Sequence, residues 1–139
     1  MPDPGLNLIN EFAKTSPLDA HARVQKGIPL SEVVRFAKAL DLTQEEVASL
    51  LGLHMRTYQR WLIESAKKLD SLTGGRYYRT LKVVQRAILV TGTPEISLKW
   101  LRSPQRALGQ RIPFELLSTD PGAEAVDDLL GRIEHGVIT

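Results

Sequence analysis

A chain of 139 residues has room for one ordinary domain or two very small ones, and its 42% hydrophobic and 24% charged residues make wholesale disorder an unsuitable reading. With no cysteine there is neither a disulfide scaffold nor a thiolate zinc site. No apolar run approaches the roughly 18 residues of a membrane span, and the N-terminus lacks the basic-then-apolar layout of a signal peptide, which predicts a soluble, cytoplasmic protein.

The net charge of +2 divides unevenly along the chain, into −2 over residues 1–55, +9 over 56–111 and −5 over 112–139. A basic middle and an acidic end imply two different partners, or an intramolecular pairing of the two.

Taken in chain order, almost every segment has helical period. Within residues 1–28, Leu6, Leu8, Ile9 and Phe12 suit a short helix or an arm. Ser31 is placed to cap a helix opening SEVVRFAKAL, with Val33, Val34, Ala37 and Leu40 on one face. Thr43 and Glu46 form a T-x-x-E capping box before a helix whose Val47, Leu50 and Leu51 face inward, and Gly52 ends it. A third helix starts near His54. The stretch DSLTGG, residues 70–75, reads as a linker because it pairs two glycines and shows no apolar period. Beyond it Tyr78, Leu81, Val84 (or Gln85) and Ile88 make one stripe, with Arg79, Lys82 and Arg86 elsewhere and Gly92 at the end. Thr93-Pro94 opens a further short helix, and Ser103-Pro104 and Ile112-Pro113 punctuate the short helical pieces after it. Val126, Leu129, Leu130 and Ile133 then fall at i, i+3, i+4 and i+7 of a last helix that stops at Gly136. Strand-like alternation is essentially missing, so the fold class is all-α. The division predicted is 1–28 as an arm or short helix, 29–69 as a DNA-binding unit and 70–139 as a second helical domain.

The run Leu42 to Leu62 carries the chemistry. A short helix, a glycine turn and a second helix with an aromatic inner face make a helix-turn-helix, in which the second helix lies in a DNA major groove. Ala48 sits where the two helices cross, and Leu53, Tyr58, Trp61 and Leu62 hold the second helix down. Met55, Arg56, Gln59 and Arg60 are left outward. Arginine can chelate guanine and glutamine adenine, each worth about 1–3 kcal/mol of discrimination. Thr57 and the Thr43-Gln44 cap lie where side chains and helix N-termini reach phosphates, so the DNA-contact set is Gln44, Met55, Arg56, Thr57, Gln59 and Arg60. Lys67, Lys68, Arg76 and Arg79 add to the basic surroundings. One such unit offers a modest surface, so a homodimer reading half-sites about 34 Å apart is expected.

Catalysis finds no residues to use. His21, His54 and His135 lack metal-ligand spacing, and Gly74-Gly75 belongs to neither phosphate-binding motif. Glu45-Glu46 and Asp127-Asp128 are adjacent on helices and point apart. Neither an enzyme nor a cofactor or metal site is expected.

Trp100-Leu101, an Ala107-Leu108-Gly109 turn, Pro113 with Leu116-Leu117, Thr119 with Gly122, and Arg132-Ile133 with Gly136 follow one another within residues 91–137. In that order and spacing the stretch resembles the toxin-binding domain of Xre/MbcA/ParS-type antitoxins. With the helix-turn-helix the resemblance covers roughly residues 29–139, departing from the pattern at His54-Met55, where a small capping residue is commoner. The resemblance implies an antidote of a type II toxin–antitoxin system. Such proteins pair with RES-domain toxins that consume NAD+ or use it for ADP-ribosylation, block the toxin's active-site cleft with their C-terminal domain, and repress their own operon. In that setting Arg132, Glu134, His135, Gly136, Val137, Ile138 and Thr139 are the toxin-contact candidates, since a cleft built for a phosphate-rich dinucleotide attracts acidic side chains. Alternatively Leu129, Ile133 and Val137 only finish the core. Trp100 reads as a core anchor. A stand-alone repressor, whose C-terminal half dimerises or senses a ligand, is the rival function.

Overall fold

A computed structural model describes residues 4–136, with the side chains of 4–6, 12 and 13 left outside the description. It comprises α1 (Pro4–Lys14), α2 (Pro17–Lys26), α3 (Leu30–Ala39), α4 (Gln44–Leu51), α5 (Met55–Leu62), α6 (Ser71–Thr91), α7 (Pro94–Leu101), a 3-10 turn at Arg106–Leu108, α8 (Pro113–Leu116) and α9 (Asp120–Glu134). The described residues form helices and connections without a β-strand, and the fold is all-α. None of these helices is long and apolar enough to cross a membrane.

Helix α6 is the spine. It packs on α1, α2 and α4 on the N-terminal side and on α7 and α9 on the C-terminal side. Its stripe of Tyr77, Leu81, Val84 and Ala87 is at most 1% exposed, and Tyr77 meets the Phe36 ring edge-on at 5.7 Å. This overturns the reading of residues 70–75 as a linker. Asp70 caps α6 by accepting from the Thr73 amide at 2.8 Å, and Gly74 is buried because α2 lies on it, where an added Cβ would stand 3.4 Å from Val24. The paired glycines therefore mark a close helix contact inside α6.

Of the two alternatives for the N-terminal segment, a short helix or an arm, the helical one holds, as the two helices α1 and α2. Ile9 is 1% exposed, under α3 and α6, while the side chains of Leu6 and Phe12 lie outside the description. Ser16 caps α2 through the Asp19 amide, with Pro17 at the first helical position.

Ser31 does not cap α3. The N-cap is Pro29 and the helix starts at Leu30, two residues earlier than a Ser31 cap would place it, because a backbone pairing fixes the chain there. Leu30 donates to the Lys67 carbonyl at 2.9 Å and Leu69 to the Ile28 carbonyl at 2.8 Å, tying the entry of α3 to the exit of α5. The buried face also differs from the expected one. Phe36 enters the core at 2% exposure, and Val34, expected inward, is 39% exposed.

Candidate functional site

The capping box at α4 forms as the sequence predicts. Thr43 accepts from the Glu46 amide at 3.0 Å, and Glu46 accepts from the Thr43 amide at 2.9 Å. Gly52 adopts the left-handed conformation at φ 70°, and the Leu53 amide returns to the Ala48 carbonyl at 2.8 Å. Ala48 is buried, so α4 and α5 cross closely.

On α5, Tyr58 and Trp61 are buried while Arg56, Gln59 and Arg60 are exposed together, at i, i+3 and i+4 of one face. Burial raises the Tyr58 hydroxyl above the ordinary tyrosine range, in keeping with a core role. Met55 is half-buried and leans on the core, and Thr57 is also half-buried. Gln44 stands exposed on the first turn of α4. His54 occupies the N-cap position of α5 without a side-chain cap.

The surrounding basic residues are used differently from what their sequence position suggests. Arg76 donates to the Leu51 carbonyl at 3.1 Å, satisfying the C-terminal end of α4, and lies against Gly52. Lys67 sits 4.3 Å from the centre of the Trp61 ring and near Glu64. Arg79 pairs with Asp120 and donates to the Leu117 carbonyl. Of the four, Lys68 is the one left exposed.

The acidic C-terminal helix lies along the basic side of α6. Arg86 donates to Asp127 at 3.0 Å and to Glu134 at 3.1 Å, and these bonds hold its guanidinium above the ordinary arginine range. Gly131 makes room for it, since a Cβ there would stand 2.9 Å from Arg86 Nη2. The signal for this clasp was present in the sequence. Arg79 and Arg86 are seven apart, as are Asp120, Asp127 and Glu134, which is two helical turns on each of two helices running the same way.

Beyond the clasp the chain turns outward. Arg132, Ile133, Glu134, His135 and Gly136 are all exposed, Ile133 at 42%, so it does not finish the core. Val137, Ile138 and Thr139 lie outside the described residues. Leu101 is fully buried and Trp100 only half, so the core anchor of that pair is the leucine.

Residues 19–82 match the antitoxin Xre-like helix-turn-helix domain, and residues 86–136 match the antitoxin Xre/MbcA/ParS C-terminal toxin-binding domain. The chain belongs to the Xre/MbcA/ParS-type antitoxin family. Both matches meet inside α6, the helix shared by the two halves of this antitoxin. An "Antitoxin Xre" of Photorhabdus laumondii is 27% identical over 129 residues, covering 92% of this chain and 86% of the relative. An "Antitoxin Xre" of Yersinia enterocolitica is 40% identical over 65 residues, 46% of this chain and 44% of the relative. A "Prs ADP-ribosylating antitoxin" of a Sphingobium species is 28% identical over 132 residues, 88% of this chain and 82% of the relative. The matched domains are those of antitoxins and not of enzymes: one binds DNA as a helix-turn-helix and the other binds a toxin.

Proposed function

We propose that this antitoxin neutralises a RES-domain toxin, which consumes NAD+ or uses it for ADP-ribosylation, by laying Arg132–Thr139 against the toxin's active-site cleft. The exposure of Ile133 at the end of an acidic helix carries this reading, because an apolar side chain left out of its own core is available to a partner. The Sphingobium relative, by its name, points toward ADP-ribosylation as the chemistry. In the same reading a cytoplasmic homodimer represses its own operon. Gln44, Met55, Arg56, Thr57, Gln59 and Arg60 face the operator, with Arg56, Gln59 and Arg60 the base readers and the half-buried Met55 and Thr57 at the edge. Residues 29–69 then serve DNA, 70–139 serve the toxin, and 1–28 brace the first unit.

The test uses a RES-domain toxin, with any such protein encoded beside this gene as the first choice. Purified antitoxin is expected to abolish its NAD+ consumption, and Ile133→Asp or a chain ending at Glu134 is expected to lose that inhibition while remaining folded. Full inhibition by both variants would remove the C-terminal segment from the toxin contact. On DNA, Arg56→Ala or Arg60→Ala should relax sequence preference where the side chain reads a base. Where it touches phosphate, affinity should fall evenly and the salt slope should drop by about one. Binding of a promoter with no toxin partner at all would favour a stand-alone repressor.

A further inference from the structure

Arg102 follows directly on α7, in the toxin-binding half, yet every hydrogen bond the structure gives its side chain goes to the helix-turn-helix. Nε donates to Glu46 Oε2 at 2.8 Å, and Nη2 donates to Glu46 Oε1 at 2.9 Å and to the Asp41 carbonyl at 2.8 Å. Glu46 is the carboxylate that closes the α4 capping box on the Thr43 amide. Asp41 is the residue that turns the chain from α3 into α4, at φ 54°, a left-handed conformation unusual for a residue with a side chain. One guanidinium therefore holds both the strained turn and the cap, in the two-pronged geometry that suits arginine and not lysine. Leu101, fully buried beside it, fixes the point from which the side chain reaches out. The same bonds hold Arg102 above the ordinary arginine range. Burial pushes Glu46 up, but the Arg102 and Thr43 bonds outweigh it and keep the carboxyl below the ordinary glutamate range.

We propose that Arg102 is a positioning residue for DNA binding: it fixes the first turn of α4, where Gln44 meets the phosphate backbone, from within the toxin-binding half of the chain. The inference rests on the operator-binding reading above. Without the arginine, the Asp41 turn loses an acceptor bond that opposes its strain, and Glu46 keeps its cap with nothing to hold its orientation. The helix N-terminus then samples several directions, and a phosphate contact made there weakens.

The experiment measures binding of full-length protein to a duplex from its own promoter over a range of salt, with thermal melting to confirm folding. Arg102→Ala is expected to bind about five-fold more weakly with an unchanged salt slope, an effect of the size an exposed but two-pronged ion pair can exert. Arg102→Lys is expected to bind as weakly as Arg102→Ala, because charge without the fork does not restore position. The double variant Arg102→Ala, Glu46→Gln is also expected to stay weak, since both changes break one contact. A salt slope lower by about one for Arg102→Ala would make Arg102 itself the phosphate contact and overturn the proposal. Recovery in the double variant would overturn it too, leaving only a masked carboxylate charge, and so would full affinity in Arg102→Lys. Amide exchange reads the same device without DNA: the Thr43 and Glu46 amides should exchange about ten-fold faster in Arg102→Ala, and unchanged protection would sink the idea. If the wild-type chain fails to bind the duplex, the operator reading fails and the amide exchange alone decides the role of Arg102.

Discussion

Gly122 sits in the first turn of α9, and its replacement by alanine tests how closely α8 and α9 are joined. A Cβ built there stands 2.0 Å from the Leu116 carbonyl oxygen, 1.4 Å short of the 3.4 Å at which ordinary contact begins. The obstacle is backbone, held in place by buried Phe114 and Leu117 on either side, so no side chain can swing away to make room. Relief requires the first turn of α9 to move off α8. That overpacking costs about 1–3 kcal/mol. The same movement strains the Thr119 cap, whose hydroxyl accepts from the Gly122 amide at 3.1 Å and also lies 2.9 Å from the added Cβ. Loss of such a cap costs about 1 kcal/mol. Alanine returns at most about 1 kcal/mol of helix propensity relative to glycine. The clash wins, and the net loss is about 2 kcal/mol. With a urea slope of about 2 kcal/mol per molar, the unfolding midpoint followed by circular dichroism should fall by about 1 M. Thr119→Ala, which removes the cap alone, should lower it by about half that. A midpoint for Gly122→Ala equal to that of the wild type would refute the argument, because it would mean that α8 and α9 separate freely.

Gly52→Ala should lose about 2 kcal/mol in the same assay. Roughly half comes from the left-handed backbone and half from displacing Arg76, which a Cβ would meet at 2.4 Å, from the Leu51 carbonyl. Arg86→Gln should change stability by less than about 1 kcal/mol, since both of its ion pairs are partly exposed, yet should weaken toxin inhibition by freeing Glu134; unchanged inhibition would separate the clasp from the toxin contact. Acid should weaken the fold through two caps. The Thr73 amide bond holds the Asp70 carboxyl below its ordinary 3.8, and Glu46 lies below its ordinary 4.5 despite burial. A lowered carboxyl contributes stability that is whole above its unfolded value and lost as pH falls through the folded one. Stability of the wild type should therefore drop as pH falls below about 4.5, and Glu46→Gln should flatten part of that drop.

The features legible in the sequence are those whose causes are local. Thr43 and Glu46 need only a helix between them to form their box, and Gly52 needs only its own backbone freedom, so both could be read directly. The split of α5 into a buried Tyr58 and Trp61 face and an exposed Arg56, Gln59 and Arg60 face follows from the 3.6-residue period alone. What could not be read depends on a partner far along the chain. Ser31 has the chemistry of a cap, but Leu30 is drawn into the helix by the bond its amide donates to the Lys67 carbonyl, and no local pattern contains that information. Residues 70–75 carry two opposed signals, Asp70 as a cap and the glycine pair as a break. The cap prevails because the helix that packs on Gly74 comes from residues 17–26, too far away in the chain for a local pattern to show it.

The uneven charge has a mixed answer, and its consequence bears on the DNA interface. Of the two alternatives, separate partners or mutual pairing, the structure shows mutual pairing for part of the basic set. Arg79 and Arg86 are taken by Asp120, Asp127 and Glu134, and Arg102 by Glu46, so three of the twelve basic residues in 56–111 pair across the fold. Arg76 and Lys67 are engaged with a carbonyl and a ring. Among the described residues Arg56 and Arg60 enter no ion pair, and both project from the outer face of α5. The +9 of the middle segment therefore overstates the charge offered to a phosphate backbone. Lys68, Lys82, Lys99 and Arg106 are also exposed and enter no ion pair among the described residues, so Arg56 and Arg60 are two of several cations that the fold leaves over. The pairing of Arg79 and Arg86 is what lets the acidic helix α9 lie along α6, while Arg56 and Arg60 on α5 keep their charge unpaired.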